Sequence, residues 1–230
     1  MDKIICLTLG QIGTNCYLFS YSGCLCVVDP AEDNSELFDT INDVCSEYKL
    51  EFTSIFLTHG HLDHLSGIRQ LKKIYPNVKI YISKHDKNYV GKGSYNFQYE
   101  IFASGGMGFF VSQMLADKKD LPDADVFFDD GDVLFPDENF GSWKVIATPG
   151  HTKGSCCLYN ENRKLIFTGD TLMFYSCGRT DMKDGSNFEM QKSLEKLSLL
   201  PPQTIMLPGH ETYGFELGNS YTLSSLEKSK

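Results

Sequence analysis

The sequence predicts an α/β protein whose two similar halves, each a run of strands with outer helices, stack sheet on sheet with helices flanking the pair. Three observations carry this expectation. Short β-branched and aromatic runs recur in both halves, apolar residues at helical spacing lie between them, and ligand-type residues preceded by glycine close several of the strands.

In chain order, "IICLTL", "NCYLFS" and "LCVVD" are separated by the turns "GQIG" and "YSG" and read as an antiparallel meander. Asp33 stands three residues before Glu36 like a capping box, and Leu37, Ile41, Val44, Cys45 and Tyr48 continue at helical spacing, so a helix is expected over 34–48. "TSIFLT" reads as a buried strand that runs into "HGHLDH". Leu65, Ile68, Leu71 and Ile74 then mark a second helix, stopped by Pro76, before the strand "VKIYIS".

Residues 86–125 lack clean periodicity and are crowded with Tyr and Phe around "SGGMG", which suggests a lid or insertion. Strands are expected again near 126–135 and at "WKVIAT", "CCLYN" and "KLIFT". A helix capped by Asn187 and a last strand, "TIMLPG", complete the second half. The expected organisation is a single domain over 1–215 and a C-terminal tail over 216–230, of which the end, "SSLEKSK", reads as solvated.

Composition narrows the function. The 230 residues are 41% hydrophobic, 13% aromatic and 22% charged, ordinary for a folded chain with a sizeable core. A net charge of -9 gives no basic footprint for nucleic acid. The eight cysteines sit mostly inside apolar runs, so reduced thiols and a cytoplasmic setting are expected. No stretch approaches the roughly 18 apolar residues of a spanning helix, and the apolar run before Gly10 is short for a signal peptide. A small-molecule substrate, with neither nucleic acid nor membrane as partner, is the expectation; the oligomeric state stays open.

The chemistry gathers in "HGHLDH". His59 and His61 are two apart, and in an extended segment such positions point to the same side, so both rings can reach one ion. Asp63 and His64 follow where the chain turns into a helix and can aim at a second point nearby. A metal site needs three or four ligands, and distant partners are available. His151 in "ATPGHTKGS", Asp170 in "FTGDTL" and His210 in "LPGHET" each follow an expected strand and a glycine. Thr58, Thr148, Thr152 and Thr168 flank these residues and are candidates to orient them, or are there for β-propensity alone. His85 reads as structural.

The order HxHxDH, "PGHT", "TGD", "PGH" resembles the metallo-β-lactamase superfamily over about residues 3–215. The resemblance implies a four-layer αββα sandwich of two similar halves with two divalent metal ions at the sheet edge. It implies that His59, His61 and His151 hold one ion, that Asp63, His64 and His210 hold the other, and that Asp170 bridges them. Asp63 and Asp170 would then be the catalytic acids around a bridging hydroxide, with Asp63 also orienting it. Nitrogen and carboxylate ligands suit zinc and accept iron or manganese.

Downstream, "LMFYSCGRTD" is similar to the small glyoxalase II-like branch, which makes Arg179 a candidate anchor for a substrate carboxylate and leaves a salt bridge with Asp181 as the other reading. Cys177 reads as packing. A thiolate leaves without a strong general acid, so a thioester or related small activated ester is the expected substrate. The short stretch after His210 has no counterpart of the helical glutathione-binding domain found in full-length glyoxalase II. A lactonase and an iron-dependent oxygenase acting on persulfides are the alternatives.

Overall fold

The computed structural model describes residues 3–227. Its first half opens with β1 (Ile5–Leu9), β2 (Thr14–Tyr21) and β3 (Cys24–Val28), paired antiparallel as a meander. α1 (Ser35–Tyr48) crosses to β4 (Glu51–Phe56), and α2 (Leu62–Leu65) with α3 (Ile68–Ile74) crosses to β5 (Lys79–Ser83). α4 (Ser94–Ser104) and α5 (Gly108–Met114) lead to β6 (Val126–Phe128). From β3 onward the pairing is parallel, and the sheet order is β1-β2-β3-β4-β5-β6.

The second half places β7 (Val133–Leu134), β8 (Trp143–Ala147), β9 (Cys156–Asn160) and β10 (Leu165–Gly169) antiparallel. α6 (Asn187–Leu197) carries the chain to β11 (Ile205–Pro208), parallel to β10, and β12 (Phe215–Glu216) and α7 (Tyr221–Glu227) follow. The order is β12-β11-β10-β9-β8-β7.

Alternation of side chains along the strands creates the layers. In β2, Tyr17 and Phe19 point between the sheets while Cys16 and Leu18 point outward; in β9, Cys156 and Leu158 point inward and Cys157 and Tyr159 outward. The inner core holds Phe19, Phe56, Phe128, Trp143 and Phe167. One outer core lies under α1 to α5 and the other under α6 and α7. Strands buried on both faces explain why the sequence shows apolar runs rather than strict polar alternation. The result is the expected four-layer αββα sandwich.

Several local expectations need correction. The side chain that caps α1 is Asn34, accepting from the Glu36 N–H, and that of α6 is Ser186, each one residue from the expected cap. The helix after "HGHLDH" is interrupted at Ser66 and Gly67, and at Gly67 the chain passes so close to the carbonyls of Pro30 and Glu32 that a side chain there would strike them. Residues 86–125 contain α4 and α5, packed on the outer core through Ile101, Phe102 and Val111. The region 216–230 is not a free tail within the described residues: β12 pairs with β11, and Leu217 and Leu223 are buried. All eight cysteines are free thiols. Among the described residues no helix is long and apolar enough to cross a membrane.

Phe19 is fully buried and its ring meets those of Phe135, Trp143 and Phe167. Phe19→Ala should cost about 3–5 kcal/mol in urea unfolding. Leu199→Ala, at a position 85% exposed, should change stability by about 0.5 kcal/mol or less.

Candidate metal centre

The parallel strands end at one rim, and the ligand-type residues stand on the loops that leave it. Leu57, Thr58 and His59 continue from β4, His61 begins α2, and Asp63 and His64 lie in the single turn of α2. Asp170 directly follows β10, and His151 and His210 lie just past β8 and β11. The stretch between His59 and His61 is held from both sides: the Gly60 N–H donates to Asp86 Oδ2 (2.9 Å) and its carbonyl accepts from Gln98 Nε2 (2.7 Å). A Cβ at Gly60 would overlap the Tyr89 ring, and one at Gly209 would overlap Asp170 and His64.

All seven expected residues come together. Three groups have ligand atoms within 4.8 Å of one another: His59 with His61 and His151, Asp63 with His64 and His210, and His59 with His64 and Asp170. His61 Nδ1 lies 2.7 Å from His151 Nε2. His64 Nε2 is 3.3 Å from Asp63 Oδ2 and 3.2 Å from His210 Nε2. Asp170 stands between the sets, with Oδ1 3.2 Å from His64 Nε2 and Oδ2 3.4 Å from His151 Nε2.

Outer partners fix which ring nitrogen faces inward. His64 Nδ1–H donates to Asp29 Oδ2 (2.9 Å), His151 Nδ1–H to the Arg179 carbonyl (2.7 Å) and His210 Nδ1–H to the Gly13 carbonyl (3.3 Å). The Thr58 hydroxyl donates to Asp29 Oδ2 (2.6 Å), so it accepts from His59 Nδ1–H (3.1 Å). Four imidazoles thereby turn Nε2 toward the shared space, and His61 turns Nδ1 to it. His59 Nε2 and Asp170 Oδ1, facing the shared space, are buried without a hydrogen-bond partner, as is His61 Nε2 on the other side of its ring. Buried, inward, unpartnered lone pairs of nitrogen and carboxylate oxygen are the donor set of a transition-metal site, so the residues fit divalent ions.

The electrostatics divide the imidazoles into two pairs. Burial, with the charge of neighbouring imidazoles, pushes His59 and His61 well below the usual histidine range and keeps them neutral, the form that ligates. Burial favours the neutral form of Asp63 and Asp170, but His64 and the other imidazoles outweigh it and hold both carboxyls well below their ordinary value. At His64 burial opposes charge, yet Asp170, Asp63 and Asp29 raise it well above normal; His210 is raised against burial by its hydrogen bond to Asp63 and by Asp170. The two carboxylates draw positive charge into the space between them.

Asp29 and Asp86 escaped the sequence reading. Both follow strands at the same rim, Asp29 at the end of "LCVVD" and Asp86 just past "VKIYIS", which was the available signal. Asp86 accepts from Gly60 N–H, Gly154 N–H (2.7 Å) and Thr152 Oγ1 (2.7 Å), tying the His59–His61 loop to the His151 loop. Of the four threonines, Thr58 meets a ligand directly and Thr152 acts through Asp86. Thr148 bonds Thr171 and Thr168 bonds the Leu172 carbonyl. His85 lies half-exposed beside Asp129, away from the centre.

Five of the seven ligands, all but His59 and His64, floor a cavity of about 190 Å³ whose walls include Ile12, Phe102, Met107, Met173, Cys177, Arg179 and Met182. A larger cavity, about 340 Å³ beside Glu32, Arg69 and Gln113, contains none of the ligands and has no comparable chemistry. Arg179 reaches the cavity, but its guanidinium grips Asp181 through Nε (2.7 Å) and Nη2 (2.8 Å) and also donates to the Gly105 carbonyl (3.0 Å). This is the salt bridge with Asp181 that the sequence offers beside the carboxylate-anchor reading.

The family model of the metallo-beta-lactamase superfamily matches residues 9–210. The chain belongs to that superfamily. It is 30% identical over 209 residues to the probable metallo-hydrolase YqgX of Bacillus subtilis, covering 89% of this chain and 88% of that protein. It is 29% identical over 186 residues to a hydroxyacylglutathione hydrolase of Pelagibacter ubique, covering 81% of this chain but 61% of that protein. The crystal structure of the BLEG-1 B3 metallo-beta-lactamase superposes with a TM-score of 0.74 at 23% identity, covering 96% of this chain and 100% of that one.

Asp29 is the outer partner of both His64 and, through Thr58, His59. Asp29→Asn should weaken zinc binding by roughly 10–100-fold in a chelator competition titration. His85→Ala should leave that affinity unchanged.

Proposed function

We propose that this metal-dependent hydrolase uses two divalent ions to cleave a thioester or a related small activated ester. One observation carries the reading: the inward-facing imidazoles and the carboxylates converge at the floor of a cavity whose other walls carry no acid. His59, His61 and His151 would hold one ion and Asp63, His64 and His210 the other, with Asp170 between them. When bound, such ions supply a nucleophilic hydroxide near neutral pH and stabilise the developing charge on a carbonyl oxygen. Nitrogen and carboxylate donors without sulfur suit zinc, and the same set takes iron or manganese.

The chain's own residues do the positioning. Asp29, Thr58 and the Arg179 carbonyl hold the rings in the tautomer that ligates, and Asp86 keeps the two histidine loops in register. Asp63 presents a carboxylate at the cavity floor that can accept a hydrogen bond from the attacking water. Cys177 is no nucleophile: burial raises its thiol, which disfavours the thiolate.

Leaving-group chemistry separates the candidates. An amide nitrogen must be protonated as it departs, whereas a thiolate departs unaided, and no unligated acid lines the cavity to supply that proton. Similarity to a protein named hydroxyacylglutathione hydrolase supports thioester chemistry, although this chain spans about three fifths of its length.

Zinc-loaded protein assayed against matched thioesters, lactones, β-lactams and phosphodiesters should prefer thioesters, and Asp170→Asn should lower kcat/KM by more than about 100-fold, beyond the usual loss of an outer partner. A preference for β-lactams or phosphodiesters contradicts the reading. So does one iron per chain with oxygen uptake on a persulfide.

A further inference from the structure

We infer that the acyl group taken by this cavity is compact and uncharged, and that Asp181 enforces the preference by occupying the guanidinium of Arg179. The inference deepens the hydrolase reading above and rests on it for the identity of the reacting group.

Size sets the first limit. A void of about 150 Å³ already holds a benzene-sized molecule, and pockets for larger ligands run from about 300 Å³ upward. At about 190 Å³, part of which any ions on its floor would share, the cavity admits an acyl chain of a few carbons and leaves the thiol half outside. Three methionines, Met107, Met173 and Met182, contribute flexible apolar walls that mould around such a chain.

Charge sets the second. Arg179 is the one Lys or Arg among the lining side chains, and it stands in the wall away from the ligands on the floor. A guanidinium has five N–H donors, and four are engaged: Nε and one on Nη2 with the two Asp181 oxygens, the other on Nη2 with the Gly105 carbonyl, and one on Nη1 with Met107 Sδ at 3.0 Å. The forked pairing with Asp181 is the geometry a substrate carboxylate would itself need. A carboxylate on the acyl group would therefore have to displace a residue two positions away in the chain before it could take that fork. The Arg179 side chain is 36% exposed, so replacing Asp181 frees the guanidinium without burying a lone charge.

The test uses zinc-loaded protein and two substrates with the same four-carbon acyl chain, the butanoyl and succinyl thioesters of N-acetylcysteamine. Wild type should favour butanoyl by at least tenfold in kcat/KM, and Asp181→Asn should raise the succinyl-to-butanoyl ratio at least fivefold. Calorimetry with the free acids gives a second readout: succinate should bind wild type no more tightly than butanoate, and Asp181→Asn should shift that ratio at least fivefold toward succinate. A wild-type preference for succinyl that Arg179→Gln abolishes overturns the inference, as does an acid-binding ratio that Asp181→Asn leaves unmoved. Should neither thioester turn over while the acids behave as expected, the hydrolase reading fails and the assignment of Asp181 stands. Failure of both thioesters and both acids overturns both.

Discussion

Lone pairs of five imidazoles and two carboxylates converge on one buried space, and everything else in the rim is arranged to keep them pointing there. Bare acceptors repel one another unless a cation lies among them, and a ring free to flip would turn its N–H inward instead. Asp29 prevents this at the most crowded point. Its Oδ2 takes the His64 Nδ1–H and the Thr58 hydroxyl, which in turn takes the His59 Nδ1–H. Asp29 itself has a φ of 50°, a left-handed backbone that aspartate tolerates better than most residues, and its N–H is anchored on the Phe56 carbonyl (3.0 Å).

The fold supplies the rim on which this can happen. Parallel pairing from β3 to β5 sends Asp29, the His59 loop and Asp86 out on the same side, and β10 with β11 does so for Asp170 and His210. The two sheets are then joined at the site itself: Tyr17 hydroxyl and Asn15 Nδ2 of β2 donate to the Pro208 carbonyl (2.7 and 3.1 Å), beside His210. A single element, the segment with α4 and α5, connects core to chemistry. It packs outward on the core and presents Phe102 and Met107 to the cavity, and its Gly105 carbonyl holds the Arg179 side chain while the Arg179 backbone orients His151.

What could be read in advance follows from the range of the interactions. The ligands were legible because their signal is local: i and i+2 in an extended stretch, and glycine before His151, Asp170 and His210, where the chain must pass close to its neighbours. The helix caps were misplaced by one residue because Asp33 and Asn34, or Ser186 and Asn187, are both competent caps, and only the turn geometry selects between them. The interruption at Gly67 and the clamps made by Asp29 and Asp86 depend on contacts 26 to 68 residues away in sequence or on another backbone segment, which no periodicity records. Residues 86–125 hid their helices because their apolar residues serve two surfaces, core and cavity, rather than one stripe.

The account stands on two ion positions sharing Asp170. Anomalous X-ray diffraction at the zinc edge from crystals grown with zinc measures this directly. The expected result is two peaks per chain, one enclosed by His59, His61 and His151, the other by Asp63, His64 and His210, with Asp170 touching both. A single peak, or peaks elsewhere on the molecule, would contradict it.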